Sequence, residues 1–337
     1  MLVADRDAAD TSDVFRCLRA ADGEELWRQY DRSPADLDYG NSARATPQVY
    51  GDLVLFSGAM GRLLCVELAT GTLKWRKDLR KEFKVDEETS WGLCSSPLVV
   101  DDMLIVNPGG KDAALVALRP ATGEVIWQTP GQPAAFGSLI VGVFGGQRQI
   151  VGYDKTTLGG WDVQSGKRLW TLKPPRAHDF NVPTPIAVEG KLLVATENNG
   201  TRLYQFDNHG AIVPEPLAEN LDLAPDTHTP VVVGNRCFGV WSGFYCLDIA
   251  NGLKPAWKAD DQPYFEYASI IASPERLLIT TQRGELLLVD AQAEAYRVLS
   301  RLSVFADEQG VYSHPALLGS RLYIRGSSEI GCLDLQP

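Results

Sequence analysis

The sequence has no long apolar run, no excess of positive charge and no paired cysteines. No segment approaches the roughly 18 consecutive apolar residues that a membrane-spanning helix requires, so no membrane span is predicted. The net charge of −11 disfavours nucleic acid as a partner, because a phosphate backbone is bound by clustered lysine and arginine. An apolar period of 3.6 residues persists nowhere beyond two turns, which excludes a helical fold.

The six cysteines are isolated from one another. None is adjacent to another and no CxxC spacing occurs, so neither a zinc site nor c-type haem attachment is indicated. Four of them fill the same position of a repeated segment: Cys17, Cys65, Cys246 and Cys332. Other copies place small residues there, such as Ala117 and Gly160. We therefore expect free thiols that act as small, buried fillers of a core.

The repeated segment is the feature around which the chain is organised. Residues 65–75 read CVELATGTLKW, with glycine at the seventh place and tryptophan at the eleventh. Close copies occupy 17–27, 117–127 and 160–170, and weaker copies occupy 205–215, 246–257, 288–298 and 332–337. The tryptophans recur at intervals of 48, 52 and 43 residues, and the next interval, 87, spans two repeats. A period of roughly 40–50 residues that is rich in short strands is typical of a β-propeller blade.

The fold class predicted from this repeat is all-β, as one domain over residues 1–337. The strands of a blade are named A (innermost) to D (outermost), and each repeated segment supplies strands C and D. Eight copies predict an eight-bladed β-propeller of four-stranded antiparallel blades. Seven blades result if the N-terminal D strand completes the last blade, which would remove free edges. The Pro-rich segment 213–230 is predicted to be an extended connection.

The chain begins inside a repeat. Residues 2–4 read as a B strand whose A strand is not in the sequence, so we expect residues upstream of Met1. The recurring tryptophan is interpreted as a wedge between adjacent blades, because one indole per repeat at one hairpin position serves the repeat rather than a ligand.

The pattern apolar-x-Asp-x-x-Thr-Gly-x-x-x-Trp resembles the tryptophan docking motif of the pyrroloquinoline-quinone (PQQ)-like propeller superfamily. The resemblance covers nearly the whole chain. That superfamily contains quinoprotein alcohol dehydrogenases and also the non-enzymatic propeller lipoprotein of the bacterial outer-membrane assembly machinery. For this chain the resemblance implies a bacterial, periplasmic or otherwise extracytoplasmic location.

The loops that join strand D to the next strand A are long and rich in aromatic and acidic residues, whereas the A–B and C–D turns are short. Long loops on a rigid scaffold commonly carry binding sites. We expect the residues just before the A strands and the residues of the B–C loops to line a funnel on this face. Phe136 is one of the residues before an A strand, and Asp154 is one of the B–C loop residues. The predicted ligand-binding residues are Arg44, Trp91, Lys111, Asn181, Glu197, Asn198, Asn199, His228, Tyr267, Arg283, His314 and Arg325.

Two groups among these residues have alternative interpretations. Glu197, Asn198 and Asn199 offer oxygen ligands suited to calcium, but the same residues before Gly200 favour an ordinary turn. His228 and His314 stand at the mouths of two A strands. They are either general bases or metal ligands on the axis, which would indicate a lyase or hydrolase, or hydrogen-bonded loop residues. No recognisable motif supports catalysis, so no catalytic residue is predicted.

The loop composition and the family resemblance indicate two alternative functions. The first is a non-catalytic scaffold, monomeric and without a cofactor, that presents its long-loop face to a protein, peptide or glycan. The second, implied by the resemblance, is a dehydrogenase that depends on PQQ and calcium. Such enzymes carry an adjacent cysteine pair, a calcium-binding Glu and Asn, and an Asp base. The adjacent cysteine pair is absent here.

The wedge interpretation predicts that Trp75→Ala destabilises the protein by roughly 3–5 kcal/mol, the usual cost of truncating a large core aromatic side chain. Urea unfolding measures this free energy. A variant that lost ligand binding at unchanged stability would contradict the interpretation.

Overall fold

The computed structural model describes residues 1–86, 89–261, 267–305 and 310–336. Within these residues the chain is almost entirely β-structure, arranged in eight antiparallel sheets. The fold is an all-β, eight-bladed β-propeller. In the described part of the chain, no helix is long and apolar enough to cross a membrane. The strands divide between two compact units, which are residues 1–185 with 206–212 and residues 186–205 with 213–337.

The first unit contains four sheets. Their strands are β1 (Leu2–Arg6), β2 (Ser12–Leu18) and β3 (Glu25–Arg32); β4 (Gln48–Tyr50), β5 (Leu53–Ser57), β6 (Arg62–Glu67) and β7 (Leu73–Asp78); β8 (Leu98–Val100), β9 (Met103–Val106), β10 (Leu115–Leu118) and β11 (Val125–Thr129); β12 (Ile140–Phe144), β13 (Gln147–Tyr153), β14 (Leu158–Asp162) and β15 (Arg168–Leu172). The short helix α1 (Leu79–Glu82) follows β7 and is capped by the Asp78 side chain, which accepts from the Lys81 N–H.

The second unit also contains four sheets. Their strands are β16 (Ile186–Val188), β17 (Lys191–Thr196), β18 (Gly200–Tyr204) and β19 (Ala218–Asn220); β20 (Val231–Val233), β21 (Arg236–Val240), β22 (Phe244–Asp248) and β23 (Lys254–Ala259); β24 (Ala268–Ala272), β25 (Arg276–Thr281), β26 (Glu285–Asp290) and β27 (Val298–Ser303); β28 (Ala316–Leu318), β29 (Arg321–Arg325) and β30 (Ile330–Asp334).

The apolar pattern of each strand follows its place in the blade. The two middle strands of the second blade, β5 and β6, are buried at nearly every residue, because a blade in the middle of the array is covered on both faces. The outer strand β7 alternates between half-buried and exposed residues. Packing between blades therefore rests on the B and C strands, and the main clusters of the core lie there.

Three of the repeated tryptophans, Trp27, Trp75 and Trp127, lie between neighbouring blades, as expected from the sequence. The indole N–H of Trp27 donates to the carbonyl of Leu68 at 2.9 Å, and the ring covers Gly71 of the next hairpin. A Cβ atom added to Gly71 would lie 2.6 Å from the Trp27 ring, so only glycine fits beneath the indole. Trp75 repeats this arrangement with the carbonyl of Pro120. Gly71, Gly123 and Gly166 therefore each serve their own turn and a neighbouring indole.

Trp170 departs from this pattern. Its N–H donates to the Gln149 side chain at 2.6 Å, and its ring meets Phe206 edge-on at 5.7 Å. The next copy of the repeat, residues 205–215, has lost the regular hairpin and keeps only an isolated bridge between Phe206 and Ile212. Trp170 therefore packs against an aromatic ring instead of a hairpin glycine.

The structure settles the number of blades as eight. The seven-blade alternative required β3 to complete the last blade, but β3 pairs with β2 in its own sheet. The expectation that segment 213–230 is only an extended connection is wrong, because β19 lies within it and pairs with β18. Parts of three predicted loops, residues 87–88, 262–266 and 306–309, lie outside the described residues.

The first and last sheets have three strands within the described residues, whereas the other six have four. Because the last sheet has no described outer strand, the expectation that all four repeated cysteines are buried is wrong for Cys332. Cys65 lies opposite Trp75 and is fully buried, and Cys17 and Cys246 face tryptophans in the same way. Cys332 has no described D strand beside it and is exposed. All six thiols are free, as expected.

Two glycines at the same place of the repeat test the packing of the indole directly. Gly71 and Gly23 both have positive φ, +70° and +78°, but a Cβ at Gly23 would meet nothing within 4 Å. Gly23→Ala is expected to cost about 1–2 kcal/mol for its left-handed backbone. Gly71→Ala should cost about 1–3 kcal/mol more, because the added methyl group displaces the Trp27 ring.

Urea unfolding of both variants measures the difference. Equal losses of stability in the two variants would show that the close approach of the indole to Gly71 contributes nothing.

Candidate functional site

In the first unit, the loops that follow D strands meet one another and also meet a B–C loop. The Asp38 N–H donates to the carbonyl of Ser90 at 3.0 Å, which joins two successive D–A loops. The Gly137 N–H donates to the carbonyl of Asn181 at 2.8 Å, which joins the next two. The Asn181 side chain donates in turn to the carbonyls of Asp154 and Lys155 in a B–C loop. These loops therefore form one continuous surface.

Arg44 and Asn181 fasten this surface. The Arg44 guanidinium donates to the carbonyls of Asp38 at 2.7 Å and Gly40 at 2.8 Å, so it holds its own loop. Asn181 is buried and has φ of 51°, a left-handed conformation that asparagine tolerates better than most residues. Lys111, which was predicted with them, is exposed, and its carbonyl accepts from the Gly131 N–H. Arg44 and Asn181 therefore position the loops.

Trp91 lies at the centre of a group of rings. Its indole is 4.6 Å from the Phe136 ring, 5.1 Å from Phe180 and 6.2 Å from Tyr39, measured between ring centroids. We name Tyr39, Trp91, Phe136 and Phe180 the aromatic cluster. Each ring comes from a different D–A loop. Trp91 and Phe136 were predicted from their places before A strands, whereas Tyr39 and Phe180 were not predicted. The sequence did contain a signal for Tyr39 and Phe180, because each of these four D–A loops carries an aromatic residue.

In the second unit, His228, Tyr267 and His314 gather near the start of β24. The His228 Nδ1 lies 2.6 Å from the carbonyl of Ala268, which can only accept, so Nδ1 carries the proton. Burial, opposed by the hydrogen bond to the Ala268 carbonyl and assisted by the charge of His314, lowers the pKa of the His228 imidazole to about 4. Tyr267 contacts the His314 ring edge-on at 6.3 Å, and burial raises the pKa of its hydroxyl. His228 is thus a neutral, hydrogen-bonded residue at neutral pH.

The remaining predicted residues of the second unit lie in B–C loops or, for Arg325, at the end of a B strand. Asn198 is exposed and its amide contacts the Glu197 carboxylate at 3.4 Å, whereas Asn199 is buried. Arg283 is exposed, and Arg325 is half-buried with its carbonyl accepting from the Ser313 hydroxyl. The structure therefore places Glu197, Asn198, Asn199 and Arg283 in loops and Arg325 at the end of β29. It brings Glu197 and Asn198 together in one turn.

The donor groups do not fit PQQ with calcium. Across the described residues, no three His, Cys, Asp or Glu side chains are grouped so that they could hold a metal ion. Glu197 and Asn198 match the calcium-binding Glu and Asn that the resemblance implies, but the adjacent cysteine pair that accompanies them in those enzymes is absent. The buried thiols are also poor nucleophiles, because burial raises the pKa of Cys65 to about 11 and that of Cys237 to about 12.

Two buried carboxylates in the first blade superficially resemble an acid–base pair. Asp13 and Asp31 face each other across β2 and β3, and each is 1% exposed. Arg6 donates to Asp13 at 2.9 Å, and Arg62 donates to Asp31 at 2.6 Å. Burial raises the pKa of Asp13, and its bond to Arg6 opposes that shift. Since both carboxylates are held by arginines, this pair forms part of an ion network.

Eight sheets and a tryptophan docked on the neighbouring hairpin define a β-propeller of PQQ-like repeats. The family model described as "Outer membrane protein assembly factor BamB" matches residues 10–254, and the chain belongs to that family.

Two assembly factors are similar over most of the chain. BamB of Shewanella oneidensis is 21% identical over 344 residues, which cover 85% of this chain and 83% of that protein. The crystal structure of BamB from Moraxella catarrhalis matches with a TM-score of 0.66 and 13% identity, over 98% of this chain and 92% of that one. At that identity the structural likeness supports the fold alone.

The match to a dehydrogenase is shorter. Quinoprotein alcohol dehydrogenase PedH of Pseudomonas putida is 28% identical over 127 residues. The match covers 35% of this chain and 20% of the enzyme, so the chain spans a small part of that relative.

The neutral state of His228 predicts a dependence of stability on pH. The unfolded imidazole takes up a proton near pH 6.5, whereas the folded one does so near pH 4, so the free energy of unfolding falls as pH drops through this window. The loss should reach about 2–3 kcal/mol at about pH 4.5. His228→Asn keeps a donor for the Ala268 carbonyl and removes this titration.

Urea unfolding of the wild type and of His228→Asn at about pH 7 and about pH 4.5 isolates the effect of this residue. His209→Asn, on an exposed turn, is the matched control. A wild type and a His228→Asn variant that lost equal stability on acidification would contradict the assignment.

Proposed function

We propose that this chain is a non-catalytic scaffold that binds a protein partner through its long-loop face, in the assembly of outer-membrane proteins. The observation that carries the proposal is the extent of the match. An assembly factor is matched over 83% of its length, whereas PedH is matched over 20%. A protein that shares only repeats with an enzyme need not share the enzyme's site.

The chemistry of the described residues supports the same function. His228 is committed to a backbone carbonyl, the carboxylates of Asp13 and Asp31 are paired with arginines, and Cys65 is buried. The predicted funnel residues then serve to hold loops or to contact the partner. The proposal also includes an extracytoplasmic location and a monomeric state. It takes the partner to be a protein rather than a free peptide or glycan.

A quinoprotein dehydrogenase is the second candidate, because 28% identity over 127 residues links the chain to PedH. That function requires PQQ and a cation to be held by this chain. The cysteines argue against such a site, because none is adjacent to another, whereas those enzymes carry an adjacent cysteine pair.

Deletion of the gene in its native host tests the proposal. We expect lower amounts of outer-membrane proteins in the envelope, restored by the full chain supplied in trans. In parallel, the purified chain is mixed with PQQ and calcium, passed through gel filtration and assayed for dye reduction with ethanol and 1-butanol.

Neither quinone absorbance nor dye reduction should be retained with the protein. Retained quinone with alcohol-dependent dye reduction, together with unchanged outer-membrane proteins in the deletion strain, would replace the scaffold by the dehydrogenase.

A further inference from the structure

The aromatic cluster is open to solvent on one side. Tyr39 is 77% exposed and Phe180 is 49% exposed, while Trp91 and Phe136 behind them are half-buried. Aromatic side chains are enriched in protein interfaces, where the energetically important residues include tryptophan and tyrosine set in a well-packed surround. The cluster therefore has the composition and exposure of a binding surface in its free state.

The backbone that carries the exposed rings is strained. Tyr39 has φ of 62°, and His178 and Asn181, which flank Phe180, have φ of 72° and 51°. A left-handed conformation at such residues costs of order 1–3 kcal/mol each and persists where the surroundings enforce it. The strain is concentrated on the two loops that present Tyr39 and Phe180 to solvent.

Hydrogen bonds hold these loops in place before any partner arrives. Arg44 donates to the carbonyls on either side of Tyr39. Leu93, two residues after Trp91, donates through its N–H to the carbonyl of Ala59 at 2.7 Å. Asn181, next to Phe180, is bonded to a B–C loop. A surface with fixed rings loses little conformational entropy on binding, which favours affinity.

Two acidic residues beside the aromatic cluster favour a positively charged partner. Asp36 and Asp38 precede Tyr39, and both are exposed. Neither carboxylate forms an ion pair with any residue that the structure describes, and the whole chain carries a net charge of −11. The faces of aromatic rings attract cations, and a planar guanidinium also stacks on them. Carboxylates without an ion-pair partner next to exposed aromatic rings are complementary to arginine.

We propose that the aromatic cluster is the docking surface for an arginine-bearing segment of a partner protein, with a guanidinium stacked on Tyr39 and Phe180 and attracted by Asp36 and Asp38. The inference rests on the proposed scaffold function, because it names the surface and the chemistry of the partner. Arginine is favoured over lysine because its planar group can stack and donate hydrogen bonds together.

The test compares labelled Gly/Ser peptides, each of which carries several copies of one residue: arginine, lysine, leucine or glutamate. Each peptide is mixed with the full chain at low and high salt, and fluorescence anisotropy measures its binding. The arginine peptide should bind most tightly, the lysine peptide less tightly, and the leucine and glutamate peptides weakest. Tyr39→Ala and Phe180→Ser should each weaken the arginine peptide by about tenfold. The double variant Asp36→Asn, Asp38→Asn should weaken it and flatten its salt dependence.

Tyr30→Ala is the matched control, since Tyr30 is 52% exposed on β3, outside the aromatic cluster, and should leave binding unchanged. Circular dichroism confirms that each variant is folded; Trp91 is left intact because it supports the other rings.

Several outcomes would overturn the inference. Equal binding of the arginine and lysine peptides would show attraction by charge without stacking. Tightest binding of the leucine peptide, or of a β-linked glucose oligosaccharide added as a competitor, would assign the surface to another kind of ligand. Absence of binding by every peptide, or an equal loss in Tyr30→Ala, would also refute it.

The scaffold function can survive this failure. It stands if the gene deletion still lowers outer-membrane proteins while no arginine peptide binds. It falls only if the deletion has no such effect.

Discussion

The indole ring packed on the hairpin glycine of the next blade is the contact on which the rest of the structure depends. Trp27 reaches the turn at Gly71, and its N–H finds a carbonyl there, so a large apolar surface and a polar donor are satisfied together. The glycine must remain bare for the ring to approach. This shared requirement explains why two residues recur together in the sequence, although they contact partners in different copies.

The same requirement explains what the sequence could and could not predict. The spacing of glycine and tryptophan marks the C and D strands, and the prolines before the apolar runs mark the A strands. Strand β19 was missed because the fifth blade has no tryptophan and its D strand lies in a Pro-rich segment. Because Trp170 packs against Phe206 rather than a hairpin glycine, the spacing of glycine and tryptophan gives no signal for this hairpin. Strand β19 is recognised only by its pairing with β18.

The candidate site was less predictable because it is made between loops. Trp91 was identified from its place before an A strand, but its contacts with Tyr39 and Phe180 join loops far apart in the sequence. Arg44 was predicted to line a funnel, and the structure shows it bonded to main-chain carbonyls. A side chain that fastens a loop and one that awaits a ligand look alike in a sequence, since the difference lies in backbone geometry.

The exposed position of Cys332 has a chemical consequence. The equivalent thiols are shielded by an outer strand, and shielding keeps a thiol both protonated and out of reach of oxidants. On the last blade the thiol of Cys332 is exposed, with no described outer strand beside it. In an oxidising compartment an exposed thiol is the one that reacts with oxidants and forms a disulfide with a second molecule, whereas the buried thiols are protected.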